Sequence, residues 1–170
     1  MAKTAAVLKP EVHKVTIDTG LTAAYRADMA KRLSAILADT YRLTIKSHIY
    51  HWNVVGPLFK SLHELTEEHY GALFAATDIV AERIRALGHL APSPMGNAAD
   101  FAPAAKDVDN TSAVDMVNDL IAHHEASVRT MREAAEKAGD AGDVVTEDML
   151  TARLTFHEKA IWMLRAIVAS

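Results

Sequence analysis

The chain has 170 residues, half of them hydrophobic, which is enough for one globular domain and too apolar for a disordered chain. It contains no cysteine, which excludes disulfides, thiol catalysis and cysteine-ligated zinc or iron–sulfur sites. The 18 basic and 22 acidic side chains give a net charge of −4, unlike a protein built mainly to neutralise phosphates. The unusual count is nine histidines. Any metal bound here must therefore use imidazole, carboxylate or backbone ligands.

Apolar runs in the chain are short. The longest unbroken runs, at 72–76 and 160–164, fall far below the ~20 residues that span a bilayer. The first residues, MAKTAAVLKPEVHK, contain no apolar signal-peptide core. We therefore expect a soluble, cytoplasmic protein with no membrane contact.

Four segments repeat apolar residues every three or four positions, which is typical of amphipathic helices. They run from about Leu21 to His51, Leu58 to Leu87, Thr111 to Ala138 and Asp143 to Val168. No segment alternates apolar and polar residues with a period of two, so no sheet is predicted. The sequence therefore predicts an all-α fold.

The connections between these segments are short, long and short. Turns are predicted at 53–57 and 139–142, whereas 88–110 is a 23-residue stretch with three prolines. That stretch is long enough to run back along a helix of ~42 Å. The pattern predicts a four-helix bundle of ferritin-like connectivity, with one long crossover and a short helix near 98–106. We assign 1–20 to a flexible N-terminal tail and 21–170 to the bundle domain.

One face of the second helix carries potential metal ligands. At 100° per residue, Glu67, Asp78 and Glu82 lie about 40°, 60° and 100° from His63. His63 and Glu67, like Asp78 and Glu82, are four residues apart, so each pair can reach one ion. His51 ends the first helix, across the short turn from the second. This spacing indicates a metal site of imidazole and carboxylate ligands.

The two halves of this face are too far apart for one ion. His63 and Asp78 are separated by ~22 Å along a helix, whereas ligands lie ~2.0–2.2 Å from a metal. Either the halves act separately, or a two-fold axis brings a second copy alongside. In the second case, His51, His63 and Glu67 of one subunit meet Asp78 and Glu82 of the partner subunit. The ligand types suit Fe(II), with zinc and manganese as alternatives.

The remaining histidines carry weaker signals. None of the nine has a glutamate three residues before it, so the Glu-x-x-His motif of a di-iron site inside the bundle is absent. We expect His48 and His69 to be structural or to support the ligands. No role is assigned to His123, His124 and His157.

Residues 51–63 read HWNVVGPLFKSLH and residues 78–88 read DIVAERIRALG. This double motif, with GDVVTEDMLTARLTFHEKAIWMLRA near the C-terminus, resembles the Dps family of mini-ferritins, the DNA-binding proteins from starved cells. The resemblance covers about residues 21 to 168. It implies a ferritin-like four-helix bundle, with a short helix in the crossover, that assembles as a hollow shell of twelve subunits.

The resemblance also implies a function and a site. His51, His63, Asp78 and Glu82 match the family's ferroxidase ligands, shared between two-fold-related subunits, and Trp52 matches the aromatic residue beside them. Such shells oxidise Fe(II), preferentially with hydrogen peroxide, store the ferric (Fe(III)) mineral and protect DNA. Glu67 stands where the family has aspartate. Its longer side chain leaves open direct binding, binding through water, or service to a second iron.

An acidic cluster begins the fourth helix: Asp140, Asp143, Glu147 and Asp148. In similar proteins this region lines a three-fold pore through which Fe(II) enters, with Asp143 and Asp148 as the candidates here. For Asp143, the alternative is capping of the helix start, where the macrodipole favours a negative charge.

Members of the family that bind DNA often use a lysine-rich flexible terminus. Here the tail offers Lys3, Lys9 and Lys14, and many copies on one shell act together. The acidic body opposes this by repelling the duplex. Two other functions stay open. One is a nucleoid-binding structural protein whose metal site is secondary, and the other is a helical scaffold that binds zinc or another ion without redox turnover.

Overall fold

The computed structural model describes residues 17–92 and 112–169. Within these ranges it consists of four helices and no strands: α1 (Ala23–Asn53), α2 (Phe59–Ala86), α3 (Ala113–Asp140) and α4 (Val144–Ile167). Each predicted boundary lies within two residues of the observed one. The all-α, four-helix prediction is confirmed. The crossover helix predicted near 98–106, and most of the tail with its three lysines, lie outside the described residues.

The ends of the helices follow local chemistry. At the start of α3, Ser112 Oγ accepts from the Asp115 backbone N–H and Asp115 accepts from the Ser112 backbone, forming a capping box. Gly56 and Gly142 lie in the two short turns with φ of 87° and 73°, where residues with a Cβ are strained. These turns fold α1 back on α2 and α3 back on α4.

Packing joins the two hairpins into a bundle. α1 packs along α2 and α3 along α4. Contacts of α1 with α3, and fewer contacts of α2 with α4, join the two hairpins. None of the described helices is long and apolar enough to cross a membrane.

The apolar core has two parts. One contains Leu33, Ile36, Ile84, Met131 and Leu150, and the other contains Leu43, Leu62, Leu73, Leu120 and Leu164.

Between these two parts, every helix contributes buried polar side chains. We call Thr40, Thr77, His124, Ser127 and His157 the polar layer; each is less than 9% exposed. The two threonine hydroxyls donate to carbonyls of their own helices, at 2.8 Å to Ile36 O and 2.7 Å to Phe74 O. His124 and His157 form no hydrogen bond to a carbonyl of their own helices. Their Nδ1 atoms instead contact each other.

Candidate metal centre

The end of α1 and the start of α2 hold two histidines face to face. His51 is 9% exposed, and its ring stacks on that of His63 at 3.7 Å between centroids and 18° between planes. The Nδ1 of His51 lies 2.8 Å from the His63 carbonyl oxygen, and the Nδ1 of His63 lies 2.8 Å from the His51 carbonyl oxygen. The short turn at Gly56 makes this reciprocal contact possible.

The reciprocal contact determines the tautomer of both rings. A carbonyl oxygen only accepts, so each Nδ1 must carry the hydrogen that it donates. In the neutral rings the lone pair is therefore on Nε2, the nitrogen available to a metal. A hydrogen bond on the other ring nitrogen is what orients metal-binding histidines in proteins. The Nδ1 hydrogen bonds thus leave the Nε2 lone pairs of His51 and His63 as the nitrogens that could bind a metal.

Aromatic rings pack around this pair. The His48 ring lies between Trp52, at 4.4 Å between centroids, and Tyr70, at 4.1 Å, and Tyr70 meets His51 edge-on at 5.4 Å. Trp52 is 64% exposed. The His48 ring thus contacts Trp52 and lies 6.4 Å from the His51 ring, between centroids.

Within one subunit, the three carboxylates predicted as ligands do not complete a metal site with the histidine pair. Glu67, Asp78 and Glu82 are all exposed on α2, and no described residue forms an ion pair or hydrogen bond with Asp78 or Glu82. Because α2 is one continuous helix from Phe59 to Ala86, the ~22 Å between His63 and Asp78 holds. Across 17–92 and 112–169, no group of three or more His, Asp or Glu side chains is arranged to hold a metal as it stands.

Exposed apolar side chains lie beside these carboxylates. Phe74 is 63% exposed and lies on α2 between Glu67 and Asp78, about 20° from His63 around the helix. Ile79 is 51% exposed. Exposed apolar surface rimmed by polar residues is typical of a protein interface. The face of α2 that carries the predicted metal ligands is therefore also suited to contact another protein subunit.

At the start of α4, the side chain of Asp143 is buried, at 3% exposure, and both carboxylate oxygens accept hydrogen bonds. It accepts hydrogen bonds from the Thr146 N–H (3.1 Å) and hydroxyl (2.6 Å), from the Arg83 guanidinium (2.6 Å) and from the Tyr25 hydroxyl (2.9 Å). Burial alone raises the pKa of Asp143, but these hydrogen bonds outweigh it and hold the pKa below the usual value.

Asp143 and Asp148, the two residues predicted to line the pore, therefore differ in exposure to solvent. Asp143 caps α4, the alternative role given for it, and a buried carboxylate with four donors offers no open surface to a channel. Asp148, one turn further along the helix, is exposed, as is Asp140 at the end of α3. Asp148 remains a prediction for the pore.

The sequence reasoning missed a buried histidine cluster. His69, His124 and His157 come from α2, α3 and α4 and are 4%, 0% and 0% exposed. The Nδ1 atoms of His124 and His157 are 2.9 Å apart, and the rings of His69 and His124 are 5.6 Å apart. Burial is the largest cause that lowers their pKa values, to about 4 for His69, 2 for His124 and 3 for His157. All three rings are therefore neutral at pH 7.

A sequence signal for this cluster exists. His69 lies four residues after Leu65 and four before Leu73, and His124 lies four residues after Leu120. Each histidine occupies the apolar phase of its helix, so burial was predictable. That the three helices bring them together is a property of the packing alone.

Two helical hairpins packed as one four-helix bundle are the architecture of a ferritin-like protein. Residues 30–170 match the family model described as a ferritin-like domain. An uncharacterized low temperature-induced protein of Nostoc is 40% identical over 89% of this chain and 86% of its own length. A DNA protection during starvation protein of Brevibacillus brevis is 32% identical over 82% of this chain and 94% of its own.

A solved structure agrees with these relatives. The Dps protein of Vibrio cholerae, described as a member of a broad superfamily of ferritin-like diiron-carboxylate proteins, superposes with a TM-score of 0.78. It is 26% identical and covers 88% of this chain and 94% of its own. This chain belongs to the Dps family of ferritin-like proteins.

Proposed function

We propose that this protein oxidises Fe(II), preferentially with hydrogen peroxide, at a di-iron-type site shared by two subunits, and stores the ferric product inside a hollow shell. The shell is a dodecamer, and its work limits oxidative damage to DNA in the cytoplasm or nucleoid. Membership of the Dps family supports iron storage and DNA protection. Iron is here the substrate and the cargo.

The observation that carries the proposal is the reciprocal hydrogen bonding of His51 and His63. It supplies two prepared imidazole nitrogens but no negative charge. Asp78 and Glu82, exposed at the far end of α2 and unpaired among the described residues, are the complementary carboxylates. An antiparallel partner places the partner subunit's Asp78 and the partner subunit's Glu82 opposite the histidines, because a two-fold interface sets each end of a helix against the other.

These ligands suit the change in iron charge. Two neutral imidazoles suit Fe(II), while two carboxylates stabilise the higher charge of Fe(III). Each of two Fe(II) ions gives one electron to a single peroxide. The O–O bond breaks, two protons are taken up and two waters form. Because both electrons go to the same peroxide, no hydroxyl radical is left over.

Other predicted residues have supporting roles in this proposal. Trp52, behind His48, is the aromatic neighbour of the centre. Glu67, exposed on the ligand face, binds iron directly or through water. Asp148 attracts Fe(II) to the pore, since a carboxylate-lined opening concentrates cations.

Mixing two inactive variants tests the shared site. His63→Ala removes a histidine ligand and Asp78→Asn a carboxylate ligand, so each shell alone is expected to oxidise little Fe(II) with peroxide. Shells reassembled from an equal mixture should regain about a quarter of wild-type activity, because each site draws its two halves from different chains, each intact half of the time. The readouts are the absorbance of Fe(III) and the peroxide consumed.

Two controls make the result decisive. Glu133→Gln alters an exposed carboxylate on α3, away from the ligand face, and should leave activity unchanged. Iron without protein gives the background rate. A mixture that stays at the level of the single variants, while both variants assemble normally, contradicts a shared site.

A further inference from the structure

Two fully buried histidines face each other at the centre of the bundle. His124 of α3 and His157 of α4 are each 0% exposed, and their Nδ1 atoms are 2.9 Å apart. At that distance the two nitrogens share a hydrogen, so one Nδ1 donates and the other accepts. We call these two residues the core pair. It joins α3 to α4 by a hydrogen bond inside the polar layer.

The geometry limits the number of hydrogens that the core pair can carry. With both rings neutral, one hydrogen lies between the Nδ1 atoms and the second is on Nε2 of the accepting ring. One added proton can bind the remaining free Nε2, but it places a charge in the core. Another would put hydrogens on both Nδ1 atoms, which face each other at 2.9 Å, and would break the contact. Full protonation is therefore incompatible with this packing.

The titratable groups that face the core pair oppose a positive charge on it. From α2, the His69 ring lies 5.6 Å from the nearer ring of the pair. From α4, the Arg153 guanidinium stands 4.6 Å above the Phe156 ring, which lies 6.1 and 5.2 Å from the two rings of the pair. On α3, His123 bonds Lys46 of α1. Burial is the main cause that lowers the pKa values of the pair, and His69 and Arg153 lower both further.

Carboxylates do not compensate for these groups. Within 17–92 and 112–169, no carboxylate forms a hydrogen bond or ion pair with either ring, and both Nε2 atoms are buried without a partner. Glu68 of α2 lines a pocket with His69, but Lys159 of α4 lines the same pocket. A proton on the core pair would thus be a buried charge without a counter-charge, so the folded bundle keeps the pair neutral.

We propose that the core pair is an acid-sensitive switch: its hydrogen bond stabilises the docking of α4 on α3 at neutral pH, and acidification opens the bundle and dissociates the shell. Dissociation of a shell rests on the assembly proposed above, whereas the loss of subunit stability does not. The switch shares no residue with the centre built on His51 and His63.

The sign and size of the effect follow from proton linkage. The pKa falls from 6.5 in the unfolded chain to about 2 for His124 and 3 for His157 in the folded protein. The stability that the neutral pair contributes is therefore complete above pH 6.5 and is lost as pH falls below it. Each proton that only the unfolded chain binds raises the equilibrium constant for unfolding about tenfold per pH unit, so the pair contributes up to about a hundredfold. Asp143 acts below pH 3.8, outside this range.

Urea unfolding at pH 6.5, 5.5 and 4.5 tests the switch in the full-length protein. The variant is His124→Gln with His157→Asn, whose amides bond each other but do not titrate. Between pH 5.5 and 4.5 the unfolding constant per subunit should rise up to about a hundredfold more in wild type than in the variant. Size-exclusion chromatography should show the variant shell dissociating at a lower pH. The control, His89→Gln in the partly exposed turn after α2, should follow wild type.

Equal pH dependence of unfolding in wild type and the double variant, with both folded at pH 7, overturns the proposal. Because unfolding is measured per subunit, this result does not depend on whether the protein oxidises iron. Should the double variant fail to fold, NMR of wild type labelled at histidine Cε1 decides the question. At least two of the nine rings should stay neutral in the folded protein at pH 5. Fewer than two neutral rings refutes the switch.

Discussion

Asp143 is expected to be among the most sensitive positions for stability. Asp143→Ala removes the N-cap of α4, a loss of about 1 kcal/mol, and leaves Arg83, 15% exposed, without its carboxylate. Breaking a buried ion pair by removing one partner costs about 3–5 kcal/mol in unfolding free energy. The two losses overlap, so we expect a total of about 3–5 kcal/mol, or roughly 6–20 °C in Tm for a chain of this size.

Urea unfolding of the assembled protein at one fixed concentration measures this loss. The matched control is Asp140→Ala, three residues earlier and exposed, which should change stability by less than about 0.5 kcal/mol. If Asp143→Ala loses no more than the control, the buried network is not a significant source of stability.

The same network gives a pH dependence of known sign. The pKa of Asp143 is lowered in the folded protein, so its contribution is complete above the ordinary aspartate pKa of 3.8. It is lost as pH falls below that value and through the lowered pKa. Wild type should therefore lose stability faster than Asp143→Ala on acidification in this range.

Three further outcomes are expected. Asp148→Asn should slow Fe(II) uptake severalfold without changing the final ferric content, whereas Asp148→Glu should keep the wild-type rate. Equal uptake rates in wild type and both variants would contradict a pore role. Phe74→Ser, at a 63% exposed position on the ligand face, should shift size-exclusion elution to smaller species, and an unaltered shell would argue against that face as an interface. Removing residues 1–15 should abolish any DNA gel shift at low salt, and a shift that persists would place DNA binding on the body.

The helices were predictable because their signal is local. Apolar residues every three or four positions define a buried stripe, and Ser112 with Asp115 marks a helix start by side chains that bond the nearby backbone. These effects act within a few residues. They therefore need no knowledge of the rest of the chain, and the predicted and observed boundaries agree.

Part of the candidate site was also accessible from spacing. The ~22 Å between His63 and Asp78 follows from helix geometry alone and rules out one ion bound by both within a subunit. The tautomer of the two histidines was not accessible, because it depends on two backbone carbonyls across the turn. For Asp143, spacing left pore and cap equally open, and only its burial against Arg83 and Tyr25 separates them.

By itself, the sequence determined the class of fold, the helix limits and the ligand-bearing face of α2, since all three rest on the regular 3.6-residue turn. Only the tertiary structure decided which side chains meet across helices. His69, His124 and His157 are 55 and 33 residues apart along the chain, yet they share one buried site. The physical reason is that helix packing, rather than any local periodicity, sets the register between α2, α3 and α4.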